Sequence, residues 1–223
     1  MTRASAFLFI LAASLLSSVR VDAAEALFLR FDPSTYSQLV TSCDQLAAHP
    51  DDPFKVSAGV AERQVNLADA IPACQEAVAQ DPKNPRLNYQ LARVLGYSGR
   101  GREAIPYRRA AVEADYPQSL FVIGYITLLG LNQQPQDTCR AGQLLHRSAR
   151  YQRLAGLLGF PRYVLEGRFS ECPNVRQDTE EMRSFVAEAR KQFGSDYYKG
   201  LLAEMIEEDL RHRLAPTASS IER

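Results

Sequence analysis

Ala70-Ile71-Pro72-Ala73-Cys74-Gln75-Glu76-Ala77-Val78 is followed 34 residues later by Ala104-Ile105-Pro106-Tyr107-Arg108-Arg109-Ala110-Ala111-Val112, with Ala-Ile-Pro and Ala-Val identical at the same offset. Self-similarity at a fixed period of this length marks a supersecondary unit that stacks on its neighbours, because one unit alone cannot bury its apolar face. Pro72 and Pro106 are compatible with helices that begin at Asp69 and Glu103, since first-turn amides have no intrahelical partner.

A period of 34 is that of the tetratricopeptide repeat, and the chain resembles that family. The resemblance makes Ala70, Ala77, Ala104 and Ala111 the small residues that let paired helices approach. It makes Pro82 the proline that closes a unit and Gly99 the turn glycine between two helices. Asn88 and Arg108 depart from the family, standing where it usually has large aromatics, with Tyr89 and Tyr107 beside them. After Pro117 a related signature follows: Ile123-Gly124, Gly130, Pro135-Gln136-Asp137, Ala141 and Ser148-Ala149. This is similar to the slightly longer Sel-one-like repeat. Leu154 to Gly167 supplies the first helix of one more unit. The resemblance implies an all-α fold, an α-solenoid of helix-turn-helix units, with repeats over about 66–167.

Upstream, Tyr36, Leu39, Val40, Cys43, Leu46 and Ala47 fall at helical spacing after Ser34 or Thr35. The spacing predicts a helix ending near His49-Pro50, then a loop over 51–66. Downstream, Asp178 with Glu181 reads as a capping box before Met182, Phe185, Val186 and Ala189, and Ser195 precedes Tyr198, Leu201, Leu202, Met205, Ile206 and Leu210. These two capping helices, about 178–213, would shield the end of the array, which cannot leave its apolar face in water. The tail from Ala215 reads as frayed.

Met1 to Ala23 has the layout of a secretory signal peptide: Arg3, an apolar run from Phe7 to Val19, and Val21-Asp22-Ala23 at the cut. That run is shorter than the roughly 20 residues of a spanning helix. Removal is the main reading, and Arg20 leaves an uncleaved anchor as the alternative. The expectation is therefore a single domain over 24–223, periplasmic or secreted, without stable membrane insertion after cleavage. Cys43, Cys74, Cys139 and Cys172 suit an oxidising compartment and allow three pairings. Pairing of sequence neighbours is simplest, and the resemblance favours it, because adjacent helices of a solenoid touch and distant units do not. A zinc site is the alternative weighed, but no cysteine stands two to four residues from another cysteine or a histidine.

Little in the sequence points to catalysis. His49, His146 and His212 belong to no catalytic spacing. Gly99 to Ala104 matches a relaxed dinucleotide fingerprint but follows a helical segment instead of a strand. Glu204, Glu207, Glu208 and Asp209 read as a solvated helix face. No enzyme, cofactor or metal is expected.

The whole chain balances 26 basic against 26 acidic side chains, which gives no bulk charge for nucleic acid. Its distribution is uneven: residues 24–85 carry −5, 86–162 carry +7 and 163–223 carry −3. Every cation of the middle stretch is arginine, suited to carboxylates. Arg86, Tyr89 and Arg93 occupy first-helix positions that, by the resemblance, line a concave peptide-binding face. The expectation is a non-catalytic interaction module, an adaptor or regulator in a bacterial envelope, whose partner is a protein or peptide with an acidic surface. The alternatives are a binder of an anionic glycan or other polyanion, and an enzyme on a helical scaffold. The bland reading of the arginines is that they cover helices and pair with the acidic flanks.

Overall fold

The computed structural model describes residues 27–214. The expected signal peptide and the tail from Ala215 lie outside the described residues. Those described form nine α-helices and two short 3-10 turns, Pro33–Thr35 and Glu62–Gln64, with no strand. The helices are α1 Ser42–Ala47, α2 Leu67–Gln80, α3 Pro85–Tyr97, α4 Ile105–Glu113, α5 Pro117–Leu129, α6 Thr138–Arg150, α7 Leu154–Leu165, α8 Thr179–Phe193 and α9 Tyr197–Leu214. Each packs on the next, α1 also reaches α3, and α7 reaches α9. The fold is all-α, and no described helix is long and apolar enough to cross a membrane.

The repeated alanines sit at these helix contacts. Ala70, Ala77, Ala104 and Ala111 are all buried, where a larger side chain would push neighbouring helices apart. Gly124 plays the same part between α5 and α6: a Cβ there would stand 2.9 Å from Leu145 Cγ. Pro106 lies in the first turn of α4. Pro72 does not lie in a first turn, because α2 starts at Leu67, capped by Asn66, and encloses the proline. The carbonyl of Ala68 then lacks its i+4 donor.

The segment before α2 departs most from its sequence pattern. Instead of a helix from Tyr36, the backbone is non-helical to Thr41, leaving Leu39 and Val40 exposed. Helix α1 then spans only six residues. Thr41 and Asp44 close a reciprocal capping box: Asp44 N–H donates to Thr41 Oγ1, and Thr41 N–H donates to Asp44 Oδ2. That box fixes the start of α1 later than the apolar spacing does.

Cys43 is bonded to Cys74, joining α1 to α2 with Cα atoms 4.5 Å apart. Cys139 is bonded to Cys172, joining α6 to the turn after α7 with Cα atoms 5.2 Å apart. Each bridge belongs to its own core cluster: Cys74 lies with Leu87, Leu91 and Leu95, and Cys172 with Phe160, Phe169 and Phe185. Asp178 caps α8 by accepting from Glu181 N–H at 2.8 Å. The Glu181 side chain turns inward instead of back to the cap, standing 3.1 Å from His146 Nε2.

Candidate functional site

The three residues expected on an open concave face are inside the protein. Arg86, Tyr89 and Arg93 are 3%, 2% and 7% exposed, and the N-terminal segment covers them. Arg86 Nη1 bonds the Asp44 carboxylate, and Arg86 Nη2 donates to the carbonyls of Ser37 at 3.0 Å and Leu39 at 3.4 Å. Arg93 gathers the C-terminal end of α1: Nη1 donates to the carbonyls of Ala47 at 2.8 Å and Ala48 at 3.1 Å, and Nη2 to that of Val60 at 2.7 Å. A guanidinium there meets the negative end of the helix dipole and satisfies carbonyls that α1 cannot satisfy itself. The expected partner-binding surface is thus occupied by the chain's own segment. The physical reason is that most donors of two buried guanidinium groups find one carboxylate and a cluster of carbonyls on the covering segment, with Arg86 Nε left without a partner.

The covering extends further along the fold. Asp52 is buried, and its Oδ2 accepts from Tyr116 Oη at 2.6 Å while Oδ1 accepts from Phe54 N–H at 2.9 Å. Burial raises the Asp52 pKa, with the Tyr116 hydrogen bond opposing it. Phe31 packs on Phe54 and Tyr116 with ring centroids 4.9 and 5.4 Å away. Tyr89 Oη accepts from Gln118 at 3.1 Å, and Gln118 Oε1 accepts from Arg153 Nε at 2.6 Å. Of the basic middle stretch, Arg147 pairs with Asp115, and Arg150 donates to the Leu27 carbonyl at 3.0 Å. Many of these arginines hold the fold together instead of facing solvent.

The groove that does stay open lies on the other side of Arg153. It is a cleft of about 720 Å³ between α7, α9 and the Asp51–Pro53 turn, walled by Leu154, Leu158, Tyr163 and Leu202. Its polar rim carries Arg153, Arg162 and Lys199 against Asp51 and Glu166. Arg162 Nε pairs with Glu166 at 2.9 Å. The cleft continues onto α9. That helix packs on the core through Ala203, Ile206 and Leu210 and leaves Tyr197, Tyr198, Leu201, Leu202 and Met205 exposed, Tyr198 at 80%. The last helix keeps Glu204, Glu208 and Asp209 in solvent, as expected, and exposes an apolar stripe beside them. A stripe of this size on a soluble surface marks an interaction site more often than isolated exposed residues do.

The sequence contains a signal for this site. Apolar residues of α9 fall at 197, 198, 201, 202, 203, 205, 206 and 210, more than one helical face can turn toward a core. Gly159 helps keep the α7 wall low, its missing Cβ lying 3.2 Å from Phe121. Neither cue names a ligand.

The histidines stay apart. His146 lies against Phe160 and Phe185 with centroids 4.9 and 5.9 Å away, and His212 pairs with Glu208 on the surface. His49 accepts from Asp51 N–H through Nδ1 at 3.1 Å, and burial first, then the Arg93 charge, lower its pKa to about 4. Among the described residues no group of three or more His, Cys, Asp or Glu could hold a metal ion. The chain matches no protein-family model, no curated protein and no solved structure.

Proposed function

We propose that the chain is a non-catalytic protein–protein interaction module of an exported protein, an adaptor or regulator in the periplasm or outside the cell, built as a solenoid of tetratricopeptide and Sel-one-like units. Support for the architecture comes from the 34-residue echo and its buried alanines at the helix contacts. Two disulfides suit an oxidising compartment. The observation that carries the function is the open cleft of about 720 Å³ with Leu154, Leu158, Tyr163 and Leu202 on its walls and the exposed stripe of α9 beside it. Pockets of this size and mainly apolar lining take an aliphatic or aromatic anchor, and a few polar groups at the edge orient it.

The partner segment in this reading is a short apolar peptide stretch carrying a carboxylate. Arg153, Arg162 and Lys199 line the cleft with Asp51 and Glu166; Arg162 pairs with Glu166 and Lys199 with Asp196, so Arg153 is the lining cation that, among the described residues, has no ion pair and could meet an acidic group. This moves the binding residues away from Arg86, Tyr89 and Arg93. It also weakens the polyanion alternative, because Arg86, Arg93, Arg147 and Arg150 already have partners within the chain. The test is a photo-activated crosslinking residue placed at 163 or 202 in cells that export the protein. One discrete adduct from both positions, absent from position 109 on α4, supports the reading. Equal adducts from all three positions would remove it.

A further inference from the structure

Arg108 is a buried cation that, like Arg93 and Arg153, has no carboxylate partner among the described residues. It is 3% exposed. Its side chain makes two long hydrogen bonds from Nη1, to the Asn132 carbonyl and to Gln134 Oε1, both 3.3 Å. Burial alone lowers its pKa, with no charged neighbour acting on it. A guanidinium stays charged under such conditions, so the desolvation it suffers calls for a counter-charge.

Beside it lies a separate small cavity of about 70 Å³ lined by Arg93, Tyr97, Arg108, Asn132 and His49, among others, with no acidic residue. That is room for a few waters or one compact ion. Arg108, Asn132 and Tyr97 bring side-chain donors to its lining. Arg108 Nη2 and Asn132 Nδ2 each lie 3.4 Å from the place a Cβ on Gly96 would take. Tyr97 Oη accepts from Arg93 Nε at 3.0 Å and therefore keeps its own proton to donate. The loop that brings Asn132 here is held in an unusual form. Asn132 and Gln133 both have left-handed backbone, φ 51° and 56°. Gln133 is pinned by donating to the Gly99 carbonyl at 2.9 Å, and the Asn132 carbonyl packs against Gly101, where a Cβ would approach it to 2.0 Å. Consecutive non-glycine residues in that region persist only where surrounding contacts impose them, commonly at ligand sites.

We propose that this cavity binds one small oxyanion, a phosphate or carboxylate group, held by Arg108 and Asn132 with Tyr97 as a third donor. The site is independent of the open cleft. It forms where α3, α4 and the α5–α6 loop meet, and the exposed Asn132 forms part of its lining. Arg93, whose Nε, Nη1 and Nη2 already donate to Tyr97, Ala47, Ala48 and Val60, adds positive potential without moving.

Calorimetric titration of the intact, disulfide-bonded protein at constant ionic strength tests this, with inorganic phosphate in one arm and acetate in the other. Saturable one-to-one binding is expected in at least one arm, and the arm that binds identifies the group. Arg108→Gln should weaken it at least tenfold. Arg108→Lys, which keeps the charge and loses the planar fork, should weaken it several-fold, and provides the reading if the glutamine variant does not fold. Arg102→Gln, on the exposed surface nearby, should leave it unchanged. Absence of saturable binding in both arms, or equal affinity in the wild type and the Arg108 variants, would overturn the proposal.

Discussion

Asp44 and Arg86, 42 positions apart in sequence, form an ion pair inside the protein with side chains 0% and 4% exposed. The Asp44 carboxylate also takes Gln90 Nε2 at 3.0 Å and Thr41 Oγ1 at 2.8 Å. One carboxylate thus caps its own short helix, neutralises an arginine of α3 and anchors the N-terminal segment over the face where a partner was expected.

Replacing Arg86 by alanine leaves the Asp44 carboxylate buried without its charge partner. The expected cost is about 3–5 kcal/mol, the usual result of breaking a buried pair from one side. Urea unfolding monitored by circular dichroism measures it. A loss under about 0.5 kcal/mol, as at an exposed position, would mean that the segment does not cover α3 in solution.

The echo of Ala-Ile-Pro made the helical framework legible, because small residues at a fixed period have one strong physical use, close helix contact. That Arg86, Tyr89 and Arg93 are covered was not legible. Arg86, Tyr89 and Arg93 recur along one side of α3, and nothing local tells whether that side meets water or another part of the chain. The answer depends on contacts made more than 40 residues away. Helical spacing from Tyr36 to Ala47 was outweighed by the Thr41–Asp44 box and by Arg93, which takes the carbonyls that would have continued α1. The charge counts held a partial clue: an acidic stretch before a basic one fits Asp44 meeting Arg86.

The Cys43–Cys74 bridge closes 31 residues and the Cys139–Cys172 bridge 33. Chain entropy gives each about 4 kcal/mol of stabilisation. Serine replacement of either pair should therefore lower unfolding free energy by similar amounts. Non-reducing peptide mapping of exported protein should find these two linkages, and crossed linkages would contradict the packing of α1 on α2 and of α6 on the turn after α7.

His49 makes stability depend on pH in a definable direction. Its folded pKa, about 4, lies below the ordinary 6.5, so the unfolded chain binds the proton first. The contribution is fully present above about pH 6.5 and declines as pH falls toward about 4. The ring is partly exposed, so the change is about 1 kcal/mol after solvent screening. Protonation would also remove the Nδ1 acceptor used by Asp51 N–H. Burial raises the pKa of Asp52, which acts in the opposite sense, so the comparison should be with His49→Gln. Wild type should lose stability relative to that variant between pH 7 and 4.5, and a constant difference would contradict the assignment.

If the proposed export holds, the mature chain should begin near Ala24, since Val21 and Ala23 would stand where signal peptidase reads small or branched side chains. N-terminal sequencing decides it. A chain that retains Met1 and sediments with membranes would overturn the localisation.

The segment before α2 covers Arg86, Tyr89 and Arg93 on α3, and in the proposed reading a partner enters the separate cleft between α7 and α9. Hydrogen exchange of the intact protein, alone and with the partner crosslinked from positions 163 and 202, tests it most directly. Slow exchange over 86–93 is expected in the free protein, unchanged on binding, with new protection confined to 154–166 and 197–205. Fast exchange over 86–93 in the free protein, or protection gained there when the partner binds, would contradict it.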